Sequence, residues 1–253
     1  MPGIQRYVSD ELTHFVGRNM ADDENRYILF MKILTSGLMT NPNVGSHLEI
    51  KLTSKVSENE MFNPKVICFC DISIGDLEIH KQKYGPFGIS FLKTYLAQKG
   101  ANPVFYVAKN SILVAPSDSL MYWWSEDRAL ELSSSSEASL SKVDRRSAYF
   151  DQMTAEYHEI FRSLLKTPGP IGFERIRHFQ RFLAFNIFSF LKFWDEALRE
   201  DDPANYYMER EWRIAGNLKF ELGDVRRVIL PEIYARRFRQ DLSEYTGQVT
   251  FSS

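Results

Sequence analysis

Val66, Ile67, Cys68 and Phe69 follow one another without a polar break between Lys65 and Asp71. An apolar run of that length, bounded by charge, reads as a buried strand over Lys65–Asp71, and such a strand has to sit in a covered sheet. Further strands are expected within Ser9–Phe15 and at Ile89–Phe91, Pro103–Val107, Met208–Ile214, Leu218–Leu222, Val225–Leu230 and Gln248–Phe251. Between them lie segments with helical spacing. Asp22–Leu34 has Tyr27, Ile28, Met31 and Leu34 on one face, Asp22 or Asp23 to cap its start and Gly37 to end it. Asp76–Lys83, Lys93–Lys99 (stopped by Gly100), Ser147–Leu165 and Phe173–Leu198 are the other predicted helices. Helices standing between groups of strands make the class α+β.

Asn41–Pro64 is polar, with Asn-Pro and Pro-Asn junctions, and reads as a long loop. Tyr84–Gly88 is a turn by composition, and Ser133–Ser141 is a serine-rich surface loop. The strands after that loop are too few to close a second sheet, so the chain reads as one domain over 1–253 with a helical insertion at about 145–200. Hydrophobic residues at 44% suffice for a sizeable core, and an aromatic content of 14% favours a stacked core or a pocket for a flat ligand. A net charge of −2 provides no global field toward nucleic acid or anionic lipid, leaving only a local basic groove open. Cys68 and Cys70 are expected to be buried thiols on opposite strand faces, unbridged, in a reducing compartment. The N-terminus lacks a signal-peptide pattern, and the most apolar window, Phe182–Phe193, is too short to span a bilayer; both point to the cytoplasm.

The most unusual local sequence is Tyr206-Tyr207-Met208-Glu209-Arg210-Glu211-Trp212-Arg213-Ile214. As a strand it would put Glu209, Glu211 and Arg213 on one face. Two carboxylates so close must be solvated, paired or used. The plain reading is an exposed face with salt bridges, Arg213 pairing with Glu211. His14, on an early strand before a helix, is a structural histidine or a ligand contact. The glycines of Tyr84–Phe91 make a turn or let backbone approach a flat ligand under an aromatic ring. His80 and His158 sit in polar helix contexts and His47 in a loop. Arg175, Arg177, His178 and Arg181 form a basic stripe, either solvated or facing phosphates. There is no G-x-x-x-x-G-K-[ST] loop, no G-x-G-x-x-G after a strand, no H-E-x-x-H helix and no G-x-S-x-G elbow. No metal site is expected.

Thr13-His14-Phe15, Gly88-Ile89-Ser90-Phe91 and Glu209-Arg210-Glu211, in that order, resemble the split β-sheet fold of the ADP-ribosyltransferases. More closely, the chain resembles the abortive-phage-resistance family named AbiGi. The segments carrying this likeness are Val8–Arg18, Cys68–Ile72, Lys83–Ile89, Gly100–Val104 and Tyr206–Arg213. The superfamily resemblance implies an NAD cleft between two half-sheets. In it His14 would hold a ribose hydroxyl, with Phe15 and Gly88 lining the site. Tyr84 or a neighbouring Phe would stack on nicotinamide, and Glu211 would stabilise the charge that develops as nicotinamide leaves. Glu209 matches a second carboxylate that positions the acceptor. Ser90 stands where Tyr is common.

The resemblance therefore implies an NAD-dependent ADP-ribosyltransferase acting as a toxin or antiphage effector, with RNA or DNA favoured over protein as acceptor and NAD as substrate. The alternative is a non-catalytic antitoxin or regulatory partner with a cognate toxin protein. An NAD hydrolase with no acceptor is a third reading. Glu211→Gln is expected to abolish toxicity without unfolding the chain, on the premise that Glu211 is a surface-strand carboxylate.

Overall fold

Asp22 starts the first helix as its sequence suggests: it is extended at φ −138°, and its carboxylate accepts the Asn25 N–H at 2.8 Å. Gly37 ends it at φ 60°, where an added Cβ would fall 2.3 Å from the Phe220 carbonyl oxygen. Only glycine closes that end. The buried stripe is Tyr27, Phe30 and Leu34, while Ile28, expected on the buried face, is 53% exposed.

The computed structural model describes residues 9–41, 47–113, 144–166, 173–199, 202 and 204–252. In chain order its main elements are β1 (Glu11–Phe15), α1 (Asp23–Ser36), β2 (Val66–Cys70), α2 (Glu78–Tyr84), β3 (Gly88–Leu92), α3 (Lys93–Gln98), β4 (Asn102–Pro103) and β5 (Phe105–Ala108). They continue with α4 (Arg146–Lys166), α5 (Phe173–Asn186), β6 (Leu191–Trp194), β7 (Glu211–Ala215), β8 (Val225–Pro231), α6 (Ala235–Asp241) and β9 (Gln248–Ser252). The fold is α+β. Seven strands form the main sheet in the order β9-β8-β3-β1-β2-β7-β4. All neighbours are antiparallel except β8 and β9, which are parallel.

Register sorts the side chains. Leu12, Ile67, Phe69, Ile89, Phe91, Ile214, Val228 and Leu230 point to the face covered by α1 and α6 and make the main core with Tyr27, Phe30 and Phe238. Each such fully buried side chain contributes about 1.5–3 kcal/mol. Thr13 pairs with Cys70 and Ser90, Cys70 with Glu211, and Cys68 with Arg213, so these six share the opposite face. Cys68 and Cys70 are free thiols on this same face, not on opposite ones, because residues two apart on a strand point the same way; Cys70 is buried as expected, but Cys68 is exposed.

A second layer lies over that polar face. β5 and β6 pair in parallel, and α4 and α5 pack beside a hairpin of Leu48–Ile50 and Phe62–Pro64. Val56, Met61, Phe62, Ala184 and Phe193 form its core. Two polar ties secure it. The Asp151 carboxylate accepts the Ser57 N–H at 2.9 Å and hydroxyl at 2.7 Å, while the Asn59 amide bonds both backbone groups of Phe193.

Several expected elements are revised. The loop over Asn41–Pro64 contains that hairpin. The helix over Phe173–Leu198 ends at Asn186, a 3-10 turn over Phe188–Phe190 follows, and the chain enters β6, where Phe193 is buried. Pro103–Val107 divides between two sheets. Leu218–Leu222 is two residues of strand followed by a 3-10 turn. The Ser133–Ser141 loop lies outside the described residues. Among those residues no helix is long and apolar enough to cross a membrane.

Candidate functional site

β1 and β2 share a single register pair, Thr13 with Cys70. Past it the strands part, and the His14 ring spans the gap: its Nδ1 donates to the Cys68 carbonyl at 2.8 Å. Burial lowers the His14 pKa more than this bond raises it, so the imidazole is neutral and Nε2 is left as an acceptor. At this seam lies a cleft of about 270 Å³, lined by β1 from Thr13 to Phe15, by Arg18, by β2 from Cys68 to Cys70, and by His80, Tyr84, Lys192, Tyr206, Glu209 and Glu211.

The expected continuous strand through Glu209 is replaced by a 3-10 turn over Tyr206–Glu209 and a left-handed Arg210 at φ 43°. The strand starts only at Glu211. Even so, both carboxylates meet one cation. Lys192 Nζ lies 2.9 Å from Glu209 and 2.5 Å from Glu211. Arg213 Nε closes on the other Glu211 oxygen at 2.7 Å, and Lys83 on Glu209 at 2.6 Å. The Tyr84 hydroxyl also donates to Glu209. Glu211 is 4% and Glu209 7% exposed, so the premise that Glu211 is a surface-strand carboxylate fails, and its replacement should cost stability.

Burial pushes the Glu211 carboxyl up, but Arg213 and Lys192 overrule it and hold it at about 2. Burial likewise pushes Glu209 up, and Lys192, Lys83 and Tyr84 bring its net shift down. Burial works to lower the Lys192 pKa, and the two carboxylates raise it on balance. Burial, then Glu209, raise the Tyr84 hydroxyl far above its ordinary value. Glu209, Glu211, Lys192 and Arg213 form one buried cluster of charged side chains that satisfy one another, with the Tyr84 hydroxyl a neutral donor to Glu209.

Of the residues singled out from the sequence, His14, Phe15, Tyr84, Glu209 and Glu211 line this cleft together. Gly88 and Ser90 reach it only through Thr13: Ser90 is fully buried with its hydroxyl 2.8 Å from that of Thr13, and a Cβ on Gly88 would meet Thr13 at 3.3 Å. Arg177, His178 and Arg181 stand exposed on α5, in contact with other pockets and not with this one. His80, expected in a polar helix context, is 5% exposed and stands in the cleft wall against Phe15 and Tyr84. Lys192 was not foreseen. Its signal is a lone cation inside the apolar run from Ile187 to Trp194, which demands a buried partner.

A family model described as "Putative abortive phage resistance protein AbiGi, antitoxin" matches residues 48–243. The chain belongs to the AbiGi family. The AbiGi match takes in Lys83, Tyr84, Lys192, Glu209, Glu211 and Arg213, and so the whole ionic cluster. It begins after His14 and Arg18, which belong to the N-terminal part of the cleft. Comparison of this AbiGi chain with curated proteins and with solved structures gave no significant match.

Proposed function

We propose that the chain is the non-catalytic, antitoxin-side member of an abortive-infection toxin–antitoxin pair, with a cognate toxin protein as its partner. The observation that carries this reading is the saturation of the two carboxylates. Arg213 and Lys192 occupy both oxygens of Glu211, and Lys83, Tyr84 and Lys192 occupy those of Glu209. A carboxylate that stabilises a developing cation must have charge to offer at that moment, and here the charge is already matched within the fold. The cleft, at about 270 Å³, also falls below the ~300–1,000 Å³ of pockets that enclose drug-sized ligands. The family description, which says antitoxin, supports the same reading.

The test is paired expression. The product of the neighbouring gene should arrest growth alone, and this chain, wild type or Glu211→Gln, should relieve the arrest and co-purify with it. Relief that disappears in a folded Glu211→Gln variant would contradict the proposal.

A second reading, an ADP-ribosyltransferase-like fold and NAD-dependent transfer to RNA or DNA, is favoured by one fact. His14 and Glu211, far apart in the chain, line a single cleft with Tyr84 and Glu209. Release of nicotinamide from NAD by the wild-type chain, lost in Glu211→Gln, would establish that reading and overturn the first.

A further inference from the structure

We infer that the mouth of the cleft binds a small flat-ringed ligand bearing a phosphomonoester, held by Arg18 and His80. This goes beyond the proposed pairing with a toxin and stands without it.

His80 carries the argument furthest. It is 5% exposed, it lines the cleft, and among the described residues its two ring nitrogens, both closed to solvent, have no hydrogen-bond partner, so a ligand reaches them only once the ring turns toward the cleft. Burial, opposed in part by Glu209, lowers its pKa and keeps the ring neutral, with one N–H to give and one lone pair to fill. A ring serving only to pack between Phe15 and Tyr84 would be better as phenylalanine, since an orphan buried polar group is costly. Folded proteins keep few such groups, and those they keep call for an explanation such as a ligand.

Arg18 is the second observation. It stands exposed at the rim with its guanidinium 4.9 Å from the Tyr84 ring centre, and among the described residues no carboxylate lies within ion-pair distance of it. The loop that presents it is fixed. Gly17 takes φ +85°, and the Arg26 side chain bonds the Gly17 carbonyl at 3.2 Å and the Met20 carbonyl at 2.5 Å. Of the four Lys, Arg and Glu side chains that line the cleft, Lys192 is held by both Glu209 and Glu211, which leaves Arg18 as the one without a carboxylate among the described residues. An unpaired guanidinium over an aromatic ring suits a planar ligand with a phosphate, which it can grip with two N–H groups.

The remaining wall is aromatic. Phe15, His80 and Tyr84 stand 6.3 Å apart, centre to centre, with interplanar angles of 22°, 18° and 31°. Nearly parallel rings offer a base a stacking surface that does not depend on its identity. The limited volume admits one ring with its phosphate. Such a group comes either as a free nucleoside monophosphate or as the phosphorylated end of a nucleic-acid strand.

Calorimetric titration of the full chain separates these. The probes are AMP, adenosine, inorganic phosphate, and a short oligonucleotide with a 5′-phosphate or a 5′-hydroxyl. AMP should bind at least about tenfold more tightly than adenosine or phosphate alone. Arg18→Gln should weaken AMP at least about tenfold while leaving adenosine unchanged. His80→Phe should weaken AMP with no fall in melting temperature, a result that a packing role does not give. Because Arg18 is exposed, its variant decides the matter if His80→Phe does not fold. Equal binding of AMP and the phosphorylated strand assigns the ligand to strand ends, and binding of AMP alone assigns it to the free nucleotide. Absence of binding by any phosphorylated ring ligand, or AMP binding unchanged in Arg18→Gln or in folded His80→Phe, overturns the inference.

Discussion

Lys192→Met tests the ionic cluster directly. Methionine matches the length of the lysine stem, so the change removes the charge and keeps most of the packing. Lys192 is 11% exposed at its side chain and is shared by two glutamates at 2.9 and 2.5 Å. Breaking a buried pair costs about 3–5 kcal/mol. Here neither carboxylate is wholly orphaned, because Arg213 still holds Glu211 and Lys83 and Tyr84 still hold Glu209. The expected loss is therefore about 3 kcal/mol, at the low end of that range. For a chain of this size it should appear in calorimetry as a drop of about 6–12 °C in melting temperature. The double variant Lys192→Met/Glu211→Gln should recover at least about 1 kcal/mol relative to the sum of the single changes, since it removes charge of both signs. A melting temperature within about 1 °C of wild type for Lys192→Met, or strictly additive double-variant losses, would refute the cluster as a unit.

Three further outcomes follow from the same geometry. Glu211 sits at about 2 when folded against an ordinary 4.5, so the stability it lends is whole above about pH 4.5 and is lost as pH falls toward 2. Urea unfolding from pH 6 downward should show that acid limb in wild type and a flatter one in Glu211→Gln. Gly17→Ala forces a side chain onto φ +85° with its Cβ 2.7 Å from Arg26 Cγ, and should cost about 1–3 kcal/mol in denaturant titration. Cys68 opens onto the cavities on either side of it, yet burial and then Glu211 raise its pKa, and burial raises that of Cys70. A disulfide reagent at pH 8 should therefore react slowly with both native thiols and at once with both after unfolding; fast native reaction of Cys68 would contradict the charge argument.

Local signals were well legible where the chain is regular. Asp22 and Gly37 marked the ends of α1, and the run from Val66 gave β2 nearly to the residue. The sequence pattern misled where tertiary packing overrides periodicity. Phe182–Phe193 has a helix-like apolar density, yet its second half leaves the helix to pair with β5, and this is what delivers Lys192. The alternation through Glu209 was also misleading, because Arg210 breaks it with a left-handed backbone and Glu209 approaches the same cation from a turn. His80 and Arg18 were out of reach of any spacing argument. What marks them is the lack, among the described residues, of a hydrogen-bond partner for His80 and of a carboxylate for Arg18, a property that exists only once the chain is folded.

The strand that carries Lys192 is not part of the seven-stranded sheet. It is stitched to β5 and anchored, through Asn59 and Phe193, to the hairpin beside α4. The electrical balance at the centre of the molecule is thus governed from its outer shell. Whatever draws β6 outward, even a contact made well away from the seam, takes a shared counter-charge from two glutamates in one movement.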